Sequence, residues 1–283
     1  MLGVLMAGWL LAAGGGVLPD TAVDLRRGDR VVVESLSGSV EVTVWERSAL
    51  SVEGLGPEAR GVAVRREGGR VVVGPGDRKG RGLAVAVRLR VPAWAPLEIR
   101  GLDLDVTVSG VASDVTARTV EGEIVVSGVS GTLSLSTIDG NVDVRDARGS
   151  VSARSRGGDV TLVGVEGPLE VESGDGDLRL EDITAPSVRA QTLDGDIFFQ
   201  GPLAAGGTYW FSTHDGDAEV VVPANAGARV RVSTFDGEFT SDFPVTLQRY
   251  GGGGEFEFAV GNGGASLEIQ AFDGEIRLRA AGR

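Results

Sequence analysis

The stretch STIDGNVDV, residues 136–144, has close copies further along the chain: QTLDGDIFF at 191–199, STHDGDAEV at 212–220 and STFDGEFTS at 233–241. Aligned on its glycine, the motif recurs at Gly122, Gly140, Gly158, Gly176, Gly195, Gly216, Gly237 and Gly274, with a degenerate copy at Gly38. The first four copies stand 18 residues apart, the next gaps are 19, 21 and 21, and the last is 37. Gly131, Gly149 and Gly167 fall halfway, so half-repeats sit inside the period. A fixed period of this size marks a repeat architecture, and the residues within it decide which one.

Leu133 and Leu135, Val151 and Ala153, Leu169 and Val171, and Val188 and Ala190 alternate with polar residues ahead of the motif. Behind its glycine come Val142 and Val144, Val160 and Leu162, Leu178 and Leu180, and Ile197 and Phe199, again at alternate positions. Period two with one apolar face is the pattern of half-buried strands. From inward Thr137 to inward Val142 the step is odd, so alternation breaks at Asp139-Gly140, a pair suited to a tight turn because glycine accepts positive φ. A second odd step separates Val144 from Ala147, whose equivalents Val111, Val129, Val165 and Ile183 form another apolar column. Two short strands, two or three corners and a return after one period describe one coil of an all-β, single-stranded β-solenoid, each coil hydrogen-bonded to the next at roughly 4.8 Å.

Two relatives with the same coil length fit less well. A hexapeptide helix needs an aliphatic residue at every sixth position, and Asp139 and Arg145 break that rule. A calcium β-roll needs the G-G-x-G-x-D nonapeptide, to which SRGGDVTLVGVEG (155–167) and ESGDGDLRL (172–180) conform only loosely. The regular solenoid is expected over residues 101–283, with a glycine-rich insertion near 250–265 that carries an extra hairpin or coil and accounts for the widest gap. Residues 19–100 read as irregular β coils and a cap of the same domain, since an open end would expose strand edges.

The chain resembles the bacterial "putative adhesin" family of β-strand-repeat proteins, a domain of unknown function. The resemblance is carried by ESLSGSVEVTVWE (34–46), LRVPAWAPLEI (89–99), TLDGDI (192–197), STHDGDA (212–218), STFDGEF (233–239) and AFDGEIRLR (271–279), and covers nearly all of residues 28–279. It implies an exported or envelope β-solenoid without established catalysis.

Composition agrees with such a fold and narrows the partners. The chain has 283 residues, 42% hydrophobic, with 45 glycines, too many for an ordinary helical protein. Its net charge of −13 argues against nucleic acid, which needs gathered Lys and Arg. Residues 1–18, MLGVLMAGWLLAAGGGVL, are apolar and uncharged and run into small residues, the pattern of a signal peptide or, if uncleaved, an anchor. A periplasmic, cell-surface or secreted place follows, with no other membrane-spanning stretch.

Catalytic chemistry has little to stand on. Without cysteine, and with His214 as the only histidine, thiolate and multi-histidine metal sites and cysteine nucleophiles are excluded. The acidic columns flanking the motif glycine are the stronger candidate: Asp175, Asp177, Asp194, Asp196, Asp215 and Asp217 would stack as a ladder able to take Ca²⁺, or serve simply as soluble turn residues. A carboxylate pair for sugar cleavage would need one coil that departs from the pattern, and none does. Phe235, Phe272, Tyr250 and Trp45 either fill corners and coil ends or belong to a binding face. The expectation is a non-catalytic structural or surface-interaction module for an envelope or extracellular protein or a polysaccharide, with a calcium-dependent module and a carbohydrate-active β-helix as alternatives.

Overall fold

The computed structural model describes residues 20–35, 37–55, 62–76, 84–245, 247–251 and 254–282; the expected export segment at 1–18 lies outside the described residues. The described residues form 27 strands and no helix, in one sheet of 13 strands and one of 14. Through the middle of the chain, from β10 (Val115–Arg118) to β19 (Ile197–Gln200), even-numbered strands belong to one sheet and odd-numbered strands to the other. The chain is a β-solenoid.

One coil shows how the sequence makes a rung. β12 (Leu133–Ser136) and β13 (Val142–Arg145) are its two strands, and β14 (Val151–Arg154) begins the next. Leu133 pairs with Val151 and Val142 with Val160, all strands parallel, so every inward residue meets its equivalent one period later. Leu133, Leu135, Val142 and Val144 are buried, and the space between the sheets is one continuous apolar core. At the second corner Asp146 takes a left-handed conformation (φ 53°), as do its equivalents Gly110, Gly128, Gly164 and Asp182. Aspartate tolerates that region better than most side chains, and the residue absorbs the odd step so that Ala147 points inward again.

The two ends depart from the expectation that each coil bonds to its sequence successor. At the N-terminal end the elements are β1 (Asp20–Asp24), β2 (Arg30–Glu34), β3 (Ser37–Trp45), β4 (Ala49–Gly54), β5 (Val62–Glu67), β6 (Arg70–Pro75), β7 (Ala84–Pro92), β8 (Leu97–Arg100) and β9 (Asp103–Ser109). β2 lies between β6 and β8, and β3 between β7 and β9. The rung β6–β7 is therefore outermost although it follows β2–β3 in sequence. Antiparallel β5 on one sheet, and β4 followed by β1 on the other, close that end.

The C-terminal end repeats the device. β20 (Leu203–Asp215) and β21 (Ala218–Pro223) form one rung; the chain then builds β22 (Ala228–Thr234) and β23 (Phe239–Ser241), makes the hairpin of β24 (Leu247–Gly251) and β25 (Glu255–Val260), and returns through β26 (Ala265–Asp273) and β27 (Ile276–Ala281). β26 inserts between β20 and β22, and β27 between β21 and β23. Antiparallel β25 and β24 cover the outer side of β22. The physical reason lies in the repeat itself. Every coil offers the same inward pattern, so the pattern does not dictate stacking order, and an outward excursion supplies an antiparallel cap while leaving β27 paired on both sides rather than at an edge.

Candidate functional site

The motif corner is a stack of close backbone contacts. A Cβ on Gly140 would fall 2.1 Å from the Gly122 carbonyl oxygen, one on Gly158 2.1 Å from that of Gly140, and one on Gly237 1.9 Å from that of Gly274. Gly122, Gly195, Gly216 and Gly274 take the positive φ inferred from the sequence while Gly140 and Gly158 do not, and what they share is a neighbouring rung that passes too near for a side chain. Buried hydroxyls clamp the same carbonyls. Ser155 Oγ donates to Gly140 O at 2.8 Å and accepts the Gly158 amide at 3.0 Å; Ser173, Thr192 and Thr213 donate to the carbonyls of Gly158, Gly176 and Gly195. Among the described residues no buried side-chain polar atom lacks a partner.

The acidic column after the glycine has an equally local use. Asp159 Oδ1 accepts the Asp177 amide at 2.9 Å, Asp177 Oδ1 the Asp196 amide at 2.8 Å, Asp196 Oδ1 the Asp217 amide at 2.8 Å, and Asp217 Oδ1 the Glu275 amide at 2.8 Å. Each carboxylate thus tethers the corner of the next rung. Asp217 also pairs with Arg277 at 3.1 Å, and Arg277, bonded to Glu275, holds that carboxyl below its ordinary range. Asp175, Asp194 and Asp215, one residue before the glycine, are exposed; Asp215 lies 3.2 Å from His214 Nδ1. Among the described residues no group of three or more His, Cys, Asp or Glu side chains is gathered as a metal centre.

What the inserted coil does assemble is an exposed ladder two positions before the glycine. In spatial order it reads Leu193, His214, Phe272, Phe235. The His214 and Phe272 rings stack with centroids 4.7 Å apart, and Phe272 and Phe235 do the same at 4.7 Å and 3° from parallel. Leu193 is 59% exposed, Phe272 43% and Phe235 73%. Beside this wall runs a groove of about 440 Å³ whose other side carries Gln191, Ser212, Gln270 and Ser233, four residues in register on β18 (Ala185–Gln191), β20, β26 and β22. Among the described residues no carboxylate, lysine or arginine lines it.

The family model Toastrack DUF4097 matches residues 29–279. The chain belongs to the Toastrack DUF4097 family. Among solved structures, this Toastrack chain is similar to a "putative adhesin" of Bacteroides fragilis NCTC 9343, at 13% identity over 92% of this chain and 95% of that one, with a TM-score of 0.49. It is also similar to a "putative cell adhesion protein" of Clostridium sporogenes ATCC 15579, at 9% identity over 92% and 98%, with a TM-score of 0.27. No curated protein matches it.

Of the aromatics singled out in the sequence, the Toastrack fold brings Phe235 and Phe272 together, with His214 beside them. Trp45 stands apart, near the other end, its indole N–H donating to Ala49 O at 2.7 Å. The Tyr250 side chain lies outside what the structure describes. The amide and hydroxyl wall was missed, although its signal is in the repeat. Four residues before the motif glycine the earlier coils carry Arg118, Ser136, Arg154 and Glu172, three of them charged, while the last four carry Gln191, Ser212, Ser233 and Gln270, an unbroken run of amides and hydroxyls.

Proposed function

We propose that the chain is an exported, non-catalytic, adhesin-like module that contacts a surface partner through the ladder end of its solenoid. The supporting observation is the Leu193–His214–Phe272–Phe235 wall: among the described residues Phe235 and Phe272 are the two exposed Phe, Tyr or Trp side chains, and they stand side by side in one row. Exposed apolar rows rimmed by polar residues mark interaction sites, and the solenoid holds this one rigid because each contributing strand is bonded on both sides. Export rests on the apolar segment at 1–18, and the partner class, an envelope or extracellular protein or a polysaccharide, on the acidic charge that disfavours nucleic acid. Non-catalysis rests on the uniform corners: the carboxylates after the motif glycine tether neighbouring rungs, and among the described residues no serine or threonine hydroxyl is hydrogen-bonded to His214, whose partner is Asp215.

The test is binding of the purified chain to intact cells and envelopes of the producing organism. Saturable binding that falls when Phe235 and Phe272 are both replaced by alanine supports the reading; binding indifferent to both rings overturns it.

A further inference from the structure

The groove beside the ladder states the chemistry of what would lie in it. One wall is aromatic and aliphatic, the other is made of amides and hydroxyls, and neither bears a formal charge, on a chain whose net charge is −13. An anionic ligand would find no lysine or arginine in the lining and would meet the exposed Asp194, Asp215, Asp236 and Asp273 that directly follow the ladder residues. A peptide added as a strand would need free backbone N–H and C=O groups, and β18, β20, β26 and β22 each spend theirs on a neighbour at both sides. A purely apolar ligand would cover the Ser212 and Ser233 hydroxyls and the remaining polar ends of Gln191, whose Oε1 accepts from Arg189, and of Gln270, whose Nε2 donates to Glu268. An uncharged sugar meets both walls at once, because its ring carries hydroxyls at the rim and C–H groups on its faces. Ring hydroxyls pair with amide and hydroxyl side chains, while C–H groups pack against the electron-rich face of an aromatic ring. Phe235, stacked on one side by Phe272 and otherwise open, offers such a face. The groove crosses four rungs and on each sets an amide or hydroxyl side chain opposite a ring or leucine side chain, so its occupant is a chain with repeating units rather than a single sugar.

We propose that this groove binds an uncharged polysaccharide strand running along the solenoid axis, from Leu193 at one end to Phe235 at the other. The proposal rests on the surface-contact reading above and narrows it to one ligand class. Gln191, Ser212, Gln270 and Ser233 take its hydroxyls; Phe272 and Phe235 take its C–H faces.

The experiment measures binding of the full chain to immobilised neutral hexasaccharides (cellohexaose, laminarihexaose, maltohexaose, mannohexaose and fully N-acetylated chitohexaose), with polygalacturonate as the acidic control. The result expected is retention on a neutral hexasaccharide and none on polygalacturonate. Phe235→Ala with Phe272→Ala, and separately Gln191→Ala with Gln270→Ala, each weaken it by about tenfold. Arg148→Ala, on an exposed corner away from the groove, changes nothing, and circular dichroism spectra of all variants match the parent. Three results overturn the proposal: no retention on any neutral hexasaccharide, preference for polygalacturonate, or groove variants that bind like the parent. If sugars fail while cell binding still depends on Phe235 and Phe272, the ligand class falls and the surface-contact reading stands; if cell binding ignores the ladder, both fall.

Discussion

Phe235 and Phe272 lie ring on ring, 3° from parallel, although a complete antiparallel hairpin separates them in the chain. Their contact exists only because β26 returns to the inner side of β22. Had the coils stacked in sequence order, Phe235 would sit against His214, and Phe272 would follow it at the end of the row. The insertion therefore sets both the composition of the ladder and which ring is outermost.

That arrangement predicts how the C-terminal end comes apart. Deleting residues 265–283 removes the rung on which β22 and β23 rest, so hydrogen exchange should show lost protection from Ala228 to Ser241 as well as an exposed β20 edge. A chain stacked in sequence order would lose only its last rung and keep β22 and β23 protected.

The glycine column predicts a sharp positional contrast. Gly158→Ala forces a Cβ to within 2.1 Å of a neighbouring carbonyl oxygen. It should destabilise the chain by about 2 kcal/mol or more in chemical denaturation. At Gly69 the nearest atom to an added Cβ is 3.7 Å away, so Gly69→Ala should stay within about 0.5 kcal/mol of the parent.

The carboxylate tethers separate hydrogen bonding from charge. Asp177→Asn keeps the acceptor for the Asp196 amide and removes one negative charge from the column, so stability should hold or rise slightly. Asp177→Ala leaves that amide without its partner and should cost about 1 kcal/mol. Because these oxygens already serve the corners, the thermal midpoint should be the same in millimolar calcium and in chelator.

Asp29 makes the N-terminal cap acid-sensitive. Its buried carboxylate accepts the Arg26 amide at 2.8 Å and Arg66 Nη1 at 2.7 Å, contacts that hold its pKa below the ordinary 3.8. A depressed carboxylate pKa contributes stability that is fully present above 3.8 and is lost as pH falls through the lower folded value. Denaturation midpoints measured down that range should fall for the parent and fall less steeply for Asp29→Asn.

The fold was legible in the sequence because its two signals are local. Alternation within Leu133–Ser136 and Val142–Arg145 gave the strands, and the odd steps at Asp139-Gly140 and Asp146 gave the corners. The stacking order was not legible, since Gly216, Gly237 and Gly274 head coils with the same inward pattern and any of them fits against another. The widest spacing between motif glycines announced an insertion but not that the chain after it would turn back inside. The ladder was half legible: Phe235 and Phe272 shared a column, while the polar wall emerges only when Gln191, Ser212, Gln270 and Ser233 are read as a second column in spatial order.

The ladder, the groove and the proposed ligand all depend on the C-terminal coil lying between its two predecessors, and the absence of cysteine from the chain permits a direct test. Cysteines are placed in pairs on the outer face and oxidised with copper phenanthroline. Ser212 and Gln270 are register partners, as are Gln270 and Ser233, so Ser212→Cys with Gln270→Cys and Gln270→Cys with Ser233→Cys should each form a disulfide. Ser212→Cys with Ser233→Cys should not, being two rungs or about 10 Å apart, beyond the reach of a disulfide. Efficient bridging of positions 212 and 233, with none between 212 and 270, would contradict the inserted coil and the site built on it.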